Sequence, residues 1–571
     1  MRNAKIWKLK PKEDAQKVFH LSKALGVSKV NCSLLVRRGI ETFEHAKTFF
    51  RPQLTMLHDP FLMKDMDKAV TRLISAISSN ERIRVYGDYD VDGTTSVSMM
   101  FRFLKSQSAK CDYYIPDRDR EGYGLSYEGI DSALEKGITL MITLDCGIKA
   151  IEKIAYAQSK GLDVIVCDHH LPGKILPVAH AVLDPKRKDC NYPFNELCGC
   201  GVGFKLIQAY LHRSNLDDKI AYAYLDLVAV AIGADIVPMV GENRVLAFYG
   251  LKLLNENPRI GMKALMREHK RFGTMTITDV VFTIAPRINA AGRMKHAHNA
   301  VRLLIEEDES QAIKTANEIE AFNTERRGHD QRIAQEALSQ IQTLQEEDRA
   351  STVVYHPEWH KGVIGIVASR LIETYYRPTV VFTKSKGKLT ASVRSVKGFD
   401  VYSALEACQE HIEQFGGHKY AAGLTIKEEH YENFKKAFEN VVNETLSEEC
   451  KTEVLEVDEE LQFSDITLNF YNILKQFEPF GPENRAPLFV TRRVIDRGNS
   501  KTVGAENDHL KLHVCTEKER GSEMNGIAFN MGTYAEYISK GLSFDICYSI
   551  EENEWKGNLS IQLSVKDIKT L

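Results

Sequence analysis

The chain has 571 residues, 43% of them hydrophobic, which is too long for one ordinary domain and predicts roughly three or four with packed cores. The net charge of −3 excludes a globally basic protein, so any contact with nucleic acid must use local basic patches. The 11 cysteines lack the spacing of a disulfide framework, which favours free thiols in a reducing cytoplasm. Cys198 and Cys200, with Cys190 nearby, lack a second ligand pair and are better explained as structural thiols than as a metal site. No apolar run of about 18 residues occurs, so neither a membrane span nor a membrane partner is expected.

The first part of the chain, residues 1–56, is predicted to be a segment of helices and loops. Its start is basic but lacks the apolar stretch of a secretory signal. From residue 82 short apolar runs alternate with helix-like segments, which is typical of a parallel sheet with helices on both faces. The predicted strands are 84–88, 112–115, 140–144, 164–167 and 181–183.

Conspicuous polar residues follow three of these predicted strands. They are Asp88 with Asp90, Asp145, and the Asp-His-His sequence at 168–170. The carboxyl ends of parallel strands meet at one edge of a sheet, and ligands gather there in such folds. A solvated loop explains one such placement but poorly explains three in the same sheet.

The segment 87–93 carries three aspartates at alternate positions: Asp88, Asp90 and Asp92. In an extended segment alternate side chains point to one face, so these carboxylates would lie close together. Like charges raise one another's pKa unless a cation neutralises them, and Mg²⁺ or Mn²⁺ is the natural cation for oxygen ligands. An acidic turn after a strand is the plain alternative. A calcium loop is excluded, because its twelfth position requires Glu and is Met99 here.

An apolar helix is predicted over 220–232, and Gly233 and Pro238 indicate its end. Asp235 would lie just past that end, where a carboxylate can be held rigidly. Taken alone, it is more simply a polar residue at a helix terminus. Together with the aspartates and histidines above, it offers enough ligands for two divalent ions bridged by a shared carboxylate.

The second half of the chain predicts a long helix, a second α/β unit and a terminal barrel. Residues 310–348 are rich in Glu, Gln, Lys and Ala and predict one or two long, largely solvated helices. Strands at 378–382 and 389–393 and a helix around 402–414 indicate the second α/β unit. Five short strands after residue 454 suggest a small antiparallel barrel.

A set of basic and small residues offers contacts for phosphate. Arginine forks suit phosphate oxygens, and glycines let a backbone approach a phosphate chain closely. A P-loop is excluded, because no Gly-Lys-Ser/Thr sequence follows a glycine-rich loop. Surface salt bridges remain the alternative for each arginine taken separately. The candidates are Arg118, Arg287, Arg293, Ser392, Arg394, Gly416, Gly417 and His418.

As a set, these motifs resemble those of the DHH phosphoesterase superfamily. Its four motifs match residues 87–93, 144–147, 168–170 and 233–235, and its DHHA1 substrate domain matches 392–395 and 416–423. The segments around Arg118 and from Arg287 to Arg293, the length and the terminal barrel make the resemblance more specific. From about Leu57 onwards, the chain resembles the family of single-stranded-DNA-specific exonucleases.

The resemblance implies an α/β fold with two α/β domains, a DHH domain with a parallel sheet and a DHHA1 domain, joined by a long helix and followed by an OB-fold β-barrel. It implies 5′→3′ hydrolysis of single-stranded DNA, in repair and recombination, with two Mn²⁺ or Mg²⁺ ions. A single-stranded-DNA-binding protein and a helicase are the candidate protein partners. The expected domains are 1–56 (N-terminal helical segment), 57–308 (DHH), 309–350 (connecting helix), 351–450 (DHHA1) and 451–571 (OB-fold).

Carried over position by position, the resemblance also implies residue roles. The metal ligands would be Asp88, Asp90, Asp145, His169 and Asp235. His170 would be an acid or a phosphate contact. Asp92 and Asp168 would orient the metal ligands without binding the metal themselves. The pocket for the terminal phosphate of the strand would contain Arg118, Arg293, Ser392 and Arg394, with Arg287 as a weaker member. Gly416, Gly417 and His418 would contact the substrate.

Three other functions compete with this interpretation. A nanoRNase or cyclic-dinucleotide phosphodiesterase of the same superfamily would share the metals, but such enzymes usually end after the segment 416–423. A non-catalytic replication scaffold would have lost ligands, whereas the set here is complete. A soluble pyrophosphatase is disfavoured by the length and by the barrel, which suits a polymer held by base stacking and backbone contacts.

Overall fold

The computed structural model of the protein describes residues 5–267, 274–555 and 557–571. The chain forms two compact units. The larger unit comprises Pro11–Phe322 together with Asp458–Leu571, and the smaller unit comprises Asn323–Val457 together with the residues up to Lys10. Among the described helices, none is both long enough and apolar enough to cross a membrane.

The helices are, in chain order, α1 (Ala15–Leu25), α2 (Lys29–Val36), α3 (Phe43–Phe50), α4 (Met66–Ser78), α5 (Val91–Ser106), α6 (Tyr127–Glu135), α7 (Ile151–Ser159), α8 (Gly199–Arg213), α9 (Lys219–Tyr222), α10 (Leu225–Asp235), α11 (Gly241–Glu256), α12 (Ile260–Met266), α13 (Ile277–Asp279), α14 (Ala285–Met294), α15 (His298–Ile305), α16 (Glu309–Thr343), α17 (Ile364–Thr374), α18 (Val401–Ala407), α19 (Tyr431–Thr445), α20 (Leu468–Lys475) and α21 (Ala535–Ser539). The strands are β1 (Ile6–Leu9), β2 (Arg82–Gly87), β3 (Lys110–Tyr114), β4 (Leu140–Leu144), β5 (Asp163–Cys167), β6 (Ala181–Leu183), β7 (Thr352–Tyr355), β8 (Thr379–Ser385), β9 (Lys388–Arg394), β10 (Gln414–His418), β11 (Ala421–Ile426), β12 (Val454–Val457), β13 (Glu459–Glu460), β14 (Phe489–Asp496), β15 (Lys501–Val503), β16 (His509–Thr516), β17 (Met524–Ala528), β18 (Phe544–Trp555) and β19 (Asn558–Thr570). A π-helical turn, Val280–Ile284, joins α13 to α14.

The larger unit contains a five-stranded parallel sheet with the strand order β3-β2-β4-β5-β6. Its central strands are runs of apolar residues, as is usual where both faces of a parallel sheet are covered. Ile142 on one face packs into a core shared with α5, α8 and α10, whereas Met141 on the other face packs with α6 and α7. The predicted parallel sheet with helices on both faces is confirmed.

The predicted apolar helix at 220–232 is two helices, because α9 ends at Tyr222 and α10 begins at Leu225. Helix α10 then continues through Gly233 to Asp235, so the prediction that the helix stops before Asp235 is wrong. One glycine inside a helix costs only about 1 kcal/mol. The burial of α10 on all sides outweighs that cost, and the helix ends instead at Ile236 in the left-handed conformation.

The C-terminal strands form a closed five-stranded barrel with the order β14-β18-β19-β17-β16, and β16 pairs back to β14. The barrel is not purely antiparallel, because β17 and β19 run parallel where the strand order brings them together. Its last two strands form a long hairpin rather than the short strands expected from the sequence. The predicted five-stranded barrel is otherwise confirmed.

The N-terminal helices α1, α2 and α3 pack on this barrel. Leu21, Leu34 and Ala46 belong to the same hydrophobic core as Phe477 and Phe489. The sequence predicted helices here but offered no partner for their apolar faces. It also missed β1, which pairs in parallel with β12 in the smaller unit.

The smaller unit is built on a five-stranded sheet with the order β10-β11-β9-β8-β7, in which only β7 and β8 are parallel. The predicted solvated helical region at 310–348 is the single helix α16, which passes from one unit into the other. The predicted helix at 402–414 is wrong in its second half, because α18 ends at Ala407 and Gln414 already begins β10. Residues from Gln414 onward pair with β11 instead of continuing a helix.

Candidate active site

The acidic segment after β2 is positioned by the start of a helix. Asp90 is the N-cap of α5, and its Oδ1 accepts the backbone N–H of Gly93 at 3.0 Å, a role for which Asp is favoured. Asp92 therefore lies in the first turn of α5, and the prediction of one extended segment carrying all three carboxylates is wrong. Gly93 is needed here because a Cβ would lie 2.3 Å from the Asp88 carbonyl oxygen.

Asp145 follows β4 in a strained conformation, with a φ of 59°. Non-glycine residues seldom adopt this region, and strain of this kind concentrates at functional sites. The backbone N–H of Asp145 donates to the Cys167 carbonyl at 2.9 Å, so neighbouring strands fix the residue at the sheet edge. Gly199 packs against it so closely that a Cβ would lie 2.6 Å from the Asp145 Cβ.

The Asp-His-His sequence follows β5, and its first carboxylate organises the turn. Asp168 accepts the backbone N–H of Ile148 at 2.9 Å and of His169 at 2.7 Å. Its Oδ1 also lies 2.8 Å from the Nδ1 of His170. Burial opposes ionisation of Asp168, but these bonds and the charge of His170 lower its pKa below the usual value.

His169 lies at the centre of the acidic cluster. Its Nε2 lies 3.1 Å from Asp145 Oδ1, 3.6 Å from Asp235 Oδ2 and 3.8 Å from Asp92 Oδ2. Two groups of side chains in the larger unit, Asp145 with His169 and His170, and Asp92 with His169 and Asp235, each bring one nitrogen or oxygen atom per residue within 4.8 Å of the others. The sheet edge thus gathers these residues as the sequence indicated.

The electrostatics of this cluster favour a bound cation. Burial and the charge of Asp90 raise the pKa of Asp92 to about 7, and burial and the charge of Asp92 raise that of Asp235 to about 8. Burial and the neighbouring carboxylates also raise the pKa of Asp88 and Asp145 well above the usual value. Burial, together with the charge of His170, lowers the pKa of His169 to about 3, so its imidazole is neutral at pH 7.

Two donors to Asp92 were missed by the sequence reasoning. The backbone N–H groups of Gly199 and Cys200, at the start of α8, donate to the Asp92 carboxylate at 2.6 and 2.7 Å. They lie far from Asp92 in the chain, so no local pattern links them. Asp92 therefore both ties α5 to α8 and reaches the acidic cluster, which is more than the orienting role expected for it.

A loop at 117–124 carries Arg118 and borders the acidic cluster. Its Tyr123 hydroxyl lies 3.2 Å from His170 Nε2 and 3.3 Å from the Asp145 carbonyl oxygen. The Gly124 N–H donates to Asp88 Oδ1 at 3.2 Å. From the sequence, only Arg118 is predicted to be functional in this loop, and these three contacts were missed.

Glu121 holds this loop in shape. Its carboxylate accepts the Asp117 backbone N–H at 2.7 Å, the Tyr114 hydroxyl at 3.0 Å and the Ser126 hydroxyl at 2.5 Å. The guanidinium of Arg118 lies over the Tyr89 ring, 5.2 Å from its centroid. The loop thus presents one arginine beside the residues that follow β2.

The other two candidate phosphate-binding arginines of the larger unit, Arg287 and Arg293, differ in their surroundings. Arg287 Nε lies 2.5 Å from Glu320 Oε2, and its Nη1 donates to the Thr283 carbonyl at 2.7 Å. A Cβ on Gly292 would lie 2.9 Å from the Tyr89 carbonyl oxygen, so the residue before Arg293 packs directly against Tyr89. Arg293 therefore remains a candidate phosphate contact, whereas Arg287 is committed to an ion pair.

The candidates of the smaller unit lie on β9 and β10, the two strands that flank β11 in its sheet. Ser392 pairs with Gly423 and Arg394 with Ala421 across β9 and β11. Gly416, Gly417 and His418 form the exposed strand β10 of the neighbouring hairpin. The sheet therefore brings the two predicted substrate-contacting segments together.

Family models match three parts of the chain. Those described as "DHH family, N-terminal domain", "DHHA1 domain" and "RecJ OB domain" match residues 82–232, 349–444 and 457–567. The chain is also 38% identical over 565 residues to the "Single-stranded-DNA-specific exonuclease RecJ" of Bacillus subtilis (strain 168), covering 98% of this chain and 70% of that protein.

The chain belongs to the RecJ family. The expected resemblance to single-stranded-DNA-specific exonucleases is therefore confirmed, and the function is that of a single-stranded-DNA-specific exonuclease. The crystal structure of RecJ in complex with Mn²⁺ from Thermus thermophilus matches with a TM-score of 0.84 and 28% identity, over 99% of this chain and 80% of that one. The Mg²⁺ complex from the same organism matches with a TM-score of 0.78 and 26% identity, over 99% and 78%. The α/β fold with a terminal barrel is thus that of RecJ.

Proposed function

We propose that this RecJ-family chain removes nucleotides from the 5′ end of single-stranded DNA by a two-metal mechanism. The observation that carries the proposal is the pair of ligand-capable groups that share His169 at the carboxyl edge of the parallel sheet. The proposed metal ligands are Asp88, Asp90, Asp145, His169 and Asp235, and Asp145 is the proposed bridging ligand. Asp92 is close enough to join them.

The chemistry of these side chains fits Mn²⁺ or Mg²⁺. The donors are carboxylate oxygens and a neutral imidazole, which hard and borderline divalent ions prefer. Asp88 Oδ2 is buried and, within the described parts of the chain, has no hydrogen-bond partner. Burial raises the pKa of the nearby Cys146 and Cys198 thiols well above the usual value, which favours their protonated form. The RecJ structures from Thermus thermophilus were solved in complex with Mn²⁺ and Mg²⁺.

The residues around this site are proposed to have separate chemical roles in hydrolysis. When bound, two such ions supply an activated water and stabilise the charge that develops on phosphate oxygens. His170 is the proposed acid, with Nδ1 held by Asp168 and Nε2 facing the Tyr123 hydroxyl. Burial acts to lower the pKa of His170, but the hydrogen bond and charge of Asp168 outweigh it and raise the pKa. A proton held at this imidazole can be delivered to the leaving oxygen.

Contacts to the strand are proposed separately for each unit. In the smaller unit, Arg394 and Ser392 are proposed to bind the terminal 5′ phosphate, with Gly416, Gly417 and His418 as backbone contacts. In the larger unit, Arg118 and Arg293 are proposed as phosphate contacts, and Arg287 is left out because of its ion pair with Glu320. The polarity of digestion is supported by family membership, not by the geometry.

The barrel is proposed to hold the polymer beyond the scissile bond, since OB-folds bind single strands by stacking and backbone contacts. A single-stranded-DNA-binding protein and a helicase are the proposed partners, and the cytoplasm is the proposed location. Support for a reducing compartment comes from the cysteines, all of which are free thiols in the described structure. Affinity purification under reducing conditions tests the two protein partners directly.

Replacing the proposed bridging ligand tests the proposed mechanism. We expect Asp145→Ala to abolish hydrolysis in Mn²⁺ while binding of single-stranded DNA survives, because losing a shared ligand dismantles both metal sites. Asp67→Ala is the control, since this aspartate has a side chain that is 73% exposed and lies outside the site. Near-normal activity of Asp145→Ala would refute the two-metal assignment.

A further inference from the structure

We infer that Gly365 is a positioning residue that reserves the space in which Arg394 and Ser392 receive the terminal phosphate. This inference rests on the proposed role of those two side chains in binding the 5′ end. It concerns the smaller unit alone and adds a residue that no motif in the sequence singled out.

The start of α17 lies directly against the C-terminal end of β9. Gly365 is the second residue of α17 and is buried. A Cβ built on Gly365 would lie 2.9 Å from Arg394 Nη2 and 3.3 Å from Ser392 Oγ. Contacts below 3.4 Å are tighter than most real Cβ contacts, so any other residue here would push the guanidinium aside.

The backbone itself gives no reason for glycine at this position. The φ angle of Gly365 lies outside the left-handed range, so alanine can adopt its conformation. In a helix, glycine is less stable than alanine by roughly 0.5–1 kcal/mol. Glycine at position 365 allows the close approach of Arg394 and Ser392, and the methyl group of alanine would obstruct it.

The two terminal nitrogens of the Arg394 guanidinium have different neighbours. Arg394 Nη1 donates to the carbonyl of the preceding residue, Val393, at 2.9 Å, while Nη2 is the atom that faces Gly365. A methyl group at position 365 meets the far end of a flexible side chain, so the fold can accommodate it by moving that end. The expected damage is therefore to the aim of Arg394 and not to the packing of the unit.

The local charges also favour an anion here. The first turn of α17 carries the positive end of the helix dipole, which stabilises a negatively charged group bound nearby. A terminal phosphate would accept from both the Arg394 fork and the Ser392 hydroxyl, as charge-assisted bonds to phosphate require. Displacing Nη2 removes one arm of that fork.

The test compares Gly365→Ala with Gly328→Ala, a control in α16 where a new Cβ meets nothing within 4 Å. Cleavage rates are measured on matched oligonucleotides with and without a 5′ phosphate, and binding of both is measured by fluorescence anisotropy in EDTA. Thermal denaturation is recorded for each variant. We expect Gly365→Ala to lose about tenfold or more in preference for the phosphorylated strand, with its melting temperature unchanged or higher. The control is expected to keep the preference.

Arg394→Ala and the double variant complete the design. If Gly365 acts through Arg394, the double variant will lose no more preference than Arg394→Ala alone. A normal preference in Gly365→Ala, alongside a lost preference in Arg394→Ala, would overturn this inference and leave the phosphate-binding role standing. A normal preference in Arg394→Ala would overturn that role and this inference with it. Equal losses on both strands together with a lower melting temperature would show that Gly365 serves packing only.

Discussion

Gly199→Ala is expected to reduce hydrolysis, because Gly199 packs directly against Asp145. A Cβ at position 199 would lie 2.6 Å from the Asp145 Cβ, 2.8 Å from its Cα and 3.0 Å from its Oδ1. Because one of these atoms belongs to the backbone, no change of rotamer relieves the contact. Asp145 is also fixed by its left-handed backbone and by its bond to Cys167.

Restoring an ordinary carbon–carbon separation of about 3.5–4.0 Å requires a shift of roughly 1 Å in Asp145 or in the start of α8. A misplacement of that size at a catalytic group can reduce the rate by about a hundredfold. The overpacking itself costs typically about 1–3 kcal/mol of stability. Either movement also disturbs the bond from the Gly199 N–H to Asp92.

The assay is steady-state hydrolysis of a labelled single strand in Mn²⁺, with chemical denaturation to measure stability. Gly201→Ala is the matched control in the same helix, because the nearest atoms to its new Cβ belong to side chains, at 3.3 and 3.4 Å in Leu197 and 3.7 Å in Cys198. We expect kcat to fall about a hundredfold in Gly199→Ala and to change little in Gly201→Ala. Activity of Gly199→Ala close to the wild-type level would refute the reasoning.

Two further changes test the surroundings of the site and the barrel. Replacing Glu121 by Ala removes the carboxylate that accepts three hydrogen bonds at the loop of Arg118. We expect KM for single-stranded DNA to rise about tenfold, with partial recovery in Glu121→Gln, as measured by steady-state kinetics. Burial raises the pKa of Glu478 to about 7 from its ordinary value of 4.5, so its ionisation weakens the fold as pH rises between those values. We expect Glu478→Gln to raise the free energy of unfolding by up to about 3 kcal/mol at pH 8 and to change it little at pH 5, as measured by urea denaturation.

Each of these expectations has a clear contrary result. A Glu121→Ala enzyme with unchanged KM would show that the loop keeps its shape without the carboxylate. Equal stability changes at the two pH values in Glu478→Gln would show that the effect comes from packing and not from the ionisation of the half-buried acid.

The parallel sheet and most of the acidic cluster follow from the sequence, because apolar runs mark the strands and polar residues mark their carboxyl ends. Asp88, Asp145 and His169 were located this way, since the first two directly follow a strand and His169 is the second residue after one. The long-range contacts that stabilise the site could not be predicted in this way. Gly199 reaches Asp92 from a distant helix, and no period or motif relates the two.

The barrel illustrates the same limit. The apolar faces of α1 to α3 predict burial, but a hydrophobic stripe does not specify its partner, which is a barrel built from the other end of the chain. Removing the barrel would expose Leu21 and Leu34. Point substitutions on its surface are therefore a cleaner test of strand binding than truncation.

The direction of digestion tests the central claim most directly. A long single strand carrying a 5′ phosphate is labelled at either end and digested in Mn²⁺ by the wild-type chain, with Asp145→Ala as the inactive reference. The account predicts that the 5′ label appears at once as a mononucleotide, while the 3′ label passes through a ladder of shortening strands. Release of the 3′ label first, or internal fragments from both substrates, would contradict it.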